Sequence, residues 1–394
     1  MNDDKPLLWL RAEHKSREAR TAVVPTAAAR LVAAGFEVVV EASAERAFRI
    51  EDYVAAGCGT AARGAWRESA PDAAIVIGLK ELDPSLGPFR HRHVHFAHAF
   101  KEQRGWREML RAFGAGGGAL FDLEYLVDEN GRRVAAFGER AGFVGAALGL
   151  LVLAGQRAAR EPPLGALQPW GSGTELVADV RAALADDASA GRVAAHRVPR
   201  VLVIGARGRS GQGAVALCEA CGVDVTSWDV DETAGGGPFA AVREHDLLVS
   251  CVFVDAPVPP FTTLAGLERP GRVLRVVVDV GCDPFGEYNP LPLYDAPTSL
   301  DRPSRRLLDG ESGVTSGVAG DGPPGDDRPA EPPLDLIAID HLPSLLPAES
   351  SEEFSALLLP HLLGLDRLGD GVWGRAAAVY EARLREALGD GGEP

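Results

Sequence analysis

The amino-acid sequence predicts an α/β protein of two domains, each built on a mainly parallel sheet. The chain has 394 residues, which exceeds what one hydrophobic core usually supports. Short apolar runs alternate with helical patterns in the N-terminal third, and the same alternation returns after residue 200. Strands that alternate with helices form βαβ units with right-handed crossovers.

The first block contains apolar runs short enough for strands and two longer segments with helical spacing. The predicted strands are 7–10, 38–40, 75–79, 94–97 and 119–123, and the predicted helices are 26–34 and 102–113. This alternation indicates one parallel sheet.

The second block begins after a segment, 140–154, that is small and apolar almost all round and therefore predicts a buried helix. The Pro- and Ala-rich stretch 160–197 holds one helical pattern, at 175–184, and is expected to be peripheral. The second alternating block begins at 200–229, which holds strands and a helix. It continues with the predicted strand regions 247–254, 275–281 and 336–342.

Domain boundaries follow from these blocks. We expect a first domain from residues 1–134 plus the helical C terminus 345–394, and a second domain from 135–344. Residues 309–333 are crowded with Gly, Pro and Asp and predict a mobile surface loop.

Composition limits the possible partners. A net charge of −16 repels nucleic acid and anionic lipid, and no basic stripe offsets it. No apolar run of about 18 residues is present, and the acidic start is unlike a secretory signal. Five scattered cysteines argue against a disulfide framework. We expect a cytoplasmic protein with small-molecule ligands.

A glycine-rich turn follows the strand at residue 200. Gly205, Gly208 and Gly211 allow close approach of a pyrophosphate, which the helix N-terminus then binds. A tight strand-to-helix turn alone explains the same glycines. Asp229, at the end of the next strand, is where an acid binds a ribose hydroxyl, so the pattern favours NAD over NADP.

Lys80 and Glu81 end the apolar strand AIVIG. The carboxyl ends of parallel strands face the crevice in which open α/β sheets bind ligands. A lysine there serves as a base when its pKa is lowered, whereas a solvated surface lysine is the plain alternative.

Four histidines lie in the segment HRHVHFAHAF. His91, His93 and His95 share one face of a strand and raise the possibility of a metal site, but three ligands at this spacing rarely converge on one ion, so no metal is expected. His98, at the strand end near Lys101, fits an acid/base role better.

Charged residues also crowd the loop after the first strand, LRAEHKSREART. Arginine and lysine there suit carboxylates, and glutamate suits an ammonium, as in a loop that recognises a zwitterion. A solvated loop of mutual ion pairs is the alternative. Arg133, in GRRVAAFG, precedes the buried helix. Cys218 and Cys221 form a CxxC motif, which can indicate redox chemistry or a zinc site. They lie inside a predicted helix with no second ligand pair nearby, so we interpret them as structural residues.

In their order along the chain, these segments resemble the NAD-dependent, lysine-forming saccharopine dehydrogenases, relatives of alanine dehydrogenase. The matching segments are LRAEHKSREART, IGLKE, HFAHAFKEQ, DLEYL, GRRVAAFG, AGFVGAALG, IGARGR, GGPF, VVDV, NPLPLY and IDHLPSLLP. The resemblance implies two Rossmann-like domains with an interdomain active-site cleft, NAD as cofactor, and a monomer. It also implies oxidation of saccharopine to an imine that water cleaves to lysine and 2-oxoglutarate.

The resemblance assigns acid/base roles to Lys80, for the amine proton, and to His98, for imine hydrolysis. It places around the substrate Lys15, Glu18, Arg20, Glu81, Lys101, Glu124, Arg133, Phe137, Gly281, Cys282 and Asp283. It places around the cofactor Gly205, Gly208, Arg209, Ser210, Gly211, Asp229, Thr233, Phe253, Val280, Ile339, Asp340, His341 and Leu342.

Three departures from the family pattern leave the substrate open. Ser210 replaces a cysteine that pairs with a residue matching Cys251 in fungal relatives, Glu139 and Arg140 replace an aromatic pair, and Gly281 replaces a serine. A related opine dehydrogenase, joining a different amino acid or amine to a 2-oxo acid, is the main alternative. Alanine dehydrogenase and a non-catalytic dinucleotide-binding protein are further alternatives.

Overall fold

The computed structural model describes residues 5–97, 105–189, 198–254, 256–310 and 331–389, without the side chains of 187–189. The chain divides into two units. Met1–Phe137 and Pro347–Pro394 form unit 1, and Gly138–Leu346 forms unit 2.

Twelve strands occur among the described residues. They are β1 Leu8–Leu10, β2 Val38–Glu41, β3 Gly59–Ala61, β4 Ile75–Ile77, β5 Arg92–His95, β6 Ala119–Asp122, β7 Arg200–Ile204, β8 Asp224–Trp228, β9 Leu247–Ser250, β10 Val276–Asp279, β11 Arg305–Leu308 and β12 Leu334–Ile337.

The α-helices of the described residues also number twelve. They are α1 Pro25–Ala33, α2 Ile50–Ala55, α3 Trp66–Ser69, α4 Trp106–Gly116, α5 Gly138–Arg157, α6 Gly173–Ser189, α7 Arg209–Cys221, α8 Val230–Thr233, α9 Ala240–Glu244, α10 Leu264–Leu267, α11 Pro347–Leu362 and α12 Gly371–Leu388.

Unit 1 contains a six-stranded parallel sheet in the order β3-β2-β1-β4-β5-β6. Successive residues of a strand point to opposite faces, so Leu8 and Leu10 lie in one core cluster and Trp9 lies in the other. The strand order reverses between β1 and β4. In open α/β sheets this switch point is where ligands bind.

Unit 2 has the sheet order β11-β12-β10-β9-β7-β8, parallel except for the antiparallel edge strand β11. Its strand order reverses between β7 and β9. The apolar helix α5 packs against α7 through glycines, because a Cβ on Gly142 would lie 1.6 Å from the Ser210 carbonyl oxygen.

The predicted fold class is confirmed, with two mainly parallel sheets. The structure adds elements that apolar runs did not indicate: α2, β3, α3 and β11 are short and lie largely at the surface. In the predicted mobile loop 309–333, residues 311–330 lie outside the described residues. The predicted domain limits stay a prediction.

Helix α5 has the length and mean hydropathy of a membrane span, but 67% of that stretch is buried in the structure. A buried core helix meets the same test, so α5 is weak evidence for a membrane.

Candidate functional site

The switch point of unit 1 brings together the loop that follows β1 and the residues that follow β4. Arg11 continues from β1, donating its backbone N–H to the Ile77 carbonyl at 2.9 Å. Lys80 lies three residues beyond the end of β4 and is half-buried. The sequence motifs LRAEHKSREART and IGLKE are therefore neighbours in space.

Two buried side chains of the β1 loop hold the backbone around Lys80. The Glu13 carboxylate accepts hydrogen bonds from Leu79 N at 2.6 Å and Lys80 N at 3.0 Å. The Arg11 guanidinium pairs with Glu13 at 3.1 Å and donates to the Lys80 carbonyl. At Gly78 a Cβ would lie 2.2 Å from Arg11 Nε, so the glycine leaves room for this arginine.

The β1 loop is itself held by Glu41, which is 0% exposed at the end of β2. Its carboxylate accepts hydrogen bonds from Trp9 Nε1, Ala12 N, Gly64 N and Trp66 N, at 2.8 to 3.0 Å. A buried carboxylate with four N–H donors is well satisfied, so this part of the loop is fixed.

Glu18 and Arg20 form a second buried pair, with bonds of 2.8 and 2.6 Å between the guanidinium and the carboxylate. Burial is the largest influence on Glu18 and would raise its pKa. The hydrogen bond and charge of Arg20, together with the charge of Lys80, outweigh burial and lower the pKa. The Glu18 carboxyl therefore ionises more readily than usual, and the charge of Lys80 contributes to this.

Phe137 lies beside this pair. The Arg20 guanidinium is 4.7 Å from the centre of the Phe137 ring, and Phe137 stacks on Phe354 of α11 at 4.4 Å. A cation over an aromatic face is held in place, so these rings orient Arg20.

Four more of the predicted substrate-site residues form two ion pairs. Lys15 pairs with Glu81, and Arg133 pairs with Glu124 at 3.2 Å. The β1 loop thus contains two buried ion pairs, Arg11–Glu13 and Glu18–Arg20, and contributes Lys15 to a partly exposed pair. His98 and Lys101 lie outside the described residues.

The three alternating histidines face the interior of unit 1. His93 is fully buried between the rings of Trp66 and Phe113, with ring centres at 4.9 and 5.3 Å. Burial, with the charge of Arg11, lowers its pKa well below the usual value. Among the described residues no group of three His, Cys, Asp or Glu is placed to hold a metal ion.

The glycine turn of unit 2 lies at the second switch point, between β7 and α7. Gly205 has φ +84°, and a Cβ on Gly211 would lie 2.0 Å from the Gly205 carbonyl oxygen. In the described part of the chain, the only atom near a Cβ added to Gly208 is the Gly205 oxygen, at 3.3 Å. The turn therefore folds tightly on itself, and at the start of α7 beside it Arg209 is exposed and Ser210 is half-buried.

Asp229 borders this turn from the end of β8. Its carboxylate accepts hydrogen bonds from Arg207 N at 2.8 Å and Val230 N at 2.9 Å, and the Arg207 bond is the main reason that its pKa is lowered. Thr233 donates to the Asp229 carbonyl at 2.8 Å. The Arg207 guanidinium pairs with Asp231 at 2.8 Å, and Glu232 accepts a hydrogen bond from Asp229 N at 2.7 Å, so two further carboxylates and one guanidinium lie near Asp229.

The ends of β9 and β10 line a pocket with Phe253, Asp279, Gly281 and Asp283. Asp279 is buried, and accepts hydrogen bonds from Tyr294 Oη at 2.6 Å and Gly281 N at 3.1 Å. Burial raises the pKa of Asp279 and raises the pKa of Cys282 to about 12. The Asp279 carboxylate sets the turn 280–283.

The last predicted cofactor segment follows β12. Ile339 and Leu342 are buried in the core of unit 2, whereas Asp340 is exposed and His341 is half-buried. Among residues 339–342, the side chains of Asp340 and His341 are therefore the ones that can reach a ligand.

Prediction from sequence did not single out Gly78, Asp279 or Tyr294. The first two carried a signal, because a glycine shortly before Lys80 marks a close approach and an acid ends the apolar strand VVVD. Tyr294 lies 15 residues from Asp279 and carried none.

Comparison with known proteins identifies relatives. The family model of the N-terminal domain of alanine dehydrogenase/PNT matches residues 9–144. A Schizosaccharomyces pombe protein named saccharopine dehydrogenase (NAD(+), L-lysine-forming) is 42% identical over 97% of this chain and 99% of its own. A Neurospora crassa protein of the same name is 44% identical over 96% of each chain.

Solved structures agree on the fold. An L-alanine dehydrogenase matches 98% of this chain and 99% of its own with a TM-score of 0.59 at 17% identity. A transhydrogenase from Sinorhizobium meliloti matches 94% of this chain and 97% of its own with a TM-score of 0.59 at 16% identity. At these identities the likeness concerns the fold alone.

Proposed function

Because this chain belongs to the family of NAD-dependent, lysine-forming saccharopine dehydrogenases, we propose that it reversibly oxidises saccharopine to L-lysine and 2-oxoglutarate, with Lys80 and His98 as acid/base residues. The observation that supports this most is identity of 42% over 99% of a relative with that name. The relatives do not favour a sibling opine dehydrogenase.

The residues of unit 2 fit NAD. The turn at Gly205 and Gly211 has no room for side chains, and the start of α7 next to it suits a pyrophosphate. The lone pairs of Asp229 that are not used by Arg207 N and Val230 N suit ribose hydroxyls. The carboxylates of Asp229, Asp231 and Glu232 disfavour the 2′-phosphate of NADP, and the neighbouring Arg207 guanidinium already pairs with Asp231.

We propose that Asp229, Thr233, Arg209 and Ser210 hold the dinucleotide with the glycines of the turn. Phe253, Val280 and the stretch from Ile339 to Leu342 complete the set. NAD held by these residues would supply the hydride acceptor for oxidation at the glutamyl Cα of saccharopine.

Lys80, in its neutral form, takes the proton of the secondary amine as the C=N bond of the imine forms. Water then adds to the imine carbon, and proton transfers through His98 release the lysine amine and leave 2-oxoglutarate.

The charged groups of unit 1 suit the three carboxylates and the ammonium of the substrate. We propose Arg20 and Arg133 as carboxylate partners, because guanidinium groups bind carboxylates in two-point contacts. We also propose Lys15, Glu18, Glu81, Lys101 and Glu124 as charged groups of the substrate site, and Phe137 packs against Arg20. In unit 2 the turn of Gly281, Cys282 and Asp283 is the proposed substrate side.

We further propose a cytoplasmic monomer that binds neither nucleic acid nor membrane. The net charge of −16 supports this, because it repels phosphate-rich surfaces.

The direct test is to incubate the protein with saccharopine and NAD and to identify the products by mass spectrometry. Equal amounts of lysine, 2-oxoglutarate and NADH are expected. Formation of a different amine, or of NADH without lysine, would contradict the proposal.

A further inference from the structure

The backbone of Leu79 and Lys80 lies just beyond β4, where the strand ladder has ended. One of its polar groups still binds the backbone of another segment, since the Leu79 carbonyl accepts from Phe96 N at 3.0 Å. The other three groups bind side chains of the β1 loop. Leu79 N and Lys80 N donate to Glu13, and the Lys80 carbonyl accepts from Arg11.

Arg11 and Glu13, which we call the clamp pair, therefore replace a strand partner at this position. Both side chains are buried, at 1% and 7% exposure, and they pair with each other at 3.1 Å. A carboxylate that accepts two N–H bonds and a guanidinium with a planar fork resist displacement. The pair thus fixes the point from which the Lys80 side chain leaves the backbone.

Two further arginines bind the backbone of the clamp pair. Arg63 donates to the Glu13 carbonyl at 2.7 Å, and Arg46 donates to the Arg11 carbonyl at 3.3 Å. Gly78 leaves the space that Arg11 occupies. These contacts hold the loop after β1 against the end of β4 from several sides.

We propose that Arg11 and Glu13 are positioning residues for Lys80, an inference that rests on the proposed function. They touch no reacting atom. A displacement of about 1 Å of a reacting group lowers rates by on the order of 100-fold, so holding this backbone is a requirement for proton transfer by Lys80.

The test is a double-mutant cycle with Glu13→Gln and Lys80→Met. The introduced amide keeps one acceptor oxygen but loses the second acceptor and the ion pair. We expect Glu13→Gln to lower kcat by about 10- to 100-fold in the wild-type background. In the Lys80→Met background, where no lysine remains to be positioned, the further loss should be less than about threefold. An equal loss in both backgrounds would overturn the proposal.

A second readout does not depend on activity. Hydrogen exchange at the amides of Leu79 and Lys80 should be on the order of tenfold faster in Glu13→Gln. Unchanged exchange there would also overturn the proposal. If the wild-type protein does not form lysine from saccharopine, the proposed function fails, whereas the exchange result still decides whether the clamp exists.

Tyr53→Phe is the matched control. It removes a buried hydrogen bond in the same unit, from Tyr53 Oη to the Val23 carbonyl at 2.8 Å, and keeps the ring beside Arg46. Its kcat and its exchange at Leu79 and Lys80 should equal those of the wild type. If Glu13→Gln does not fold, Arg11→Lys keeps the charge but loses the fork, and the same cycle applies with a smaller loss expected.

Discussion

Among single residues, Lys80 has the surroundings that matter most for the proposed chemistry. Glu18 lies close enough for its pKa to be lowered by the lysine charge, and Glu13 binds the backbone N–H of Lys80 at 3.0 Å. One carboxylate thus binds the backbone of this lysine, and a second one lies within reach of its charge.

Removing either proposed acid/base group should lower kcat and leave the affinity for the cofactor nearly unchanged. General acid/base catalysis contributes on the order of 100- to 10,000-fold, so Lys80→Met and His98→Gln should each lower kcat within that range. NADH binding, followed by fluorescence, should change by less than about threefold. A large loss of NADH affinity in either variant would show that these roles are wrong.

A separate prediction concerns Asp229 and the choice between NAD and NADP. Asp229→Ala removes the acceptor for ribose and the bond to Arg207 N, so the KM for NAD should rise by about 10-fold or more. Activity with NADP relative to NAD should increase, because the acid that repels a 2′-phosphate is gone. Steady-state kinetics with both cofactors check this, and an unchanged KM for NAD would mean that Asp229 does not contact the ribose.

Sequence alone proposed Lys80, Glu18 and Asp229 because each lies in a recognisable local motif. It did not reveal the bonds from Glu13 to residues 79 and 80, which span 66 and 67 positions of the chain. Such contacts depend on which strands become neighbours, and the order β1 next to β4 is a property of the sheet.

At the scale of elements, β5 holds a titratable group in an apolar interior. His93 is enclosed by aromatic rings, and burial lowers its pKa well below 6.5. Above pH 6.5 both folded and unfolded states hold a neutral ring. Below pH 6.5 the unfolded state takes up a proton that the folded state refuses, so the free energy of unfolding falls as the pH falls.

We therefore expect acid sensitivity that depends on His93. Each pH unit below 6.5 should cost up to about 1.4 kcal/mol of unfolding free energy, until the folded ring also titrates. His93→Phe keeps a ring in this space and should flatten this slope. Urea denaturation at about pH 5.5 and 7.5 measures it, and identical slopes in both proteins would exclude His93 as the cause.

The contact between α5 and α7 is a second element-scale feature. A Cβ on Gly142 would lie 1.6 Å from the Ser210 carbonyl oxygen, and backbone cannot yield as a flexible side chain does. Gly142→Ala should destabilise unit 2 by about 1–3 kcal/mol or more. Gly165→Ala is the control, because no described atom lies within 4 Å of its added Cβ. Equal melting temperatures for the two variants would contradict this packing.

The elements that sequence predicted share a strong apolar pattern, such as the runs that became β7, β10 and α5. The ones it missed lack that pattern. Strand β3 is the exposed edge sequence GTA, and β11 begins with two arginines. Their pairing depends on a neighbouring strand rather than on their own residues.

At the scale of the whole molecule, two sheets with reversing strand order each offer a switch point, one with the charged side chains of unit 1 and one with the glycine turn of unit 2. Both sheets could be predicted from the alternation of strands and helices. The substrate could be predicted only through the resemblance of particular motifs to one family, because the alternation of strands and helices is shared by enzymes with many different substrates.

The most direct test of the central claim is NADH oxidation in the presence of 2-oxoglutarate, with amino acids offered one at a time. We expect lysine to give the highest kcat/KM of the panel. A faster reaction with ornithine or another amine would contradict it, and would identify the protein as a related opine dehydrogenase in which Glu139, Arg140 and Gly281 are the first residues to exchange.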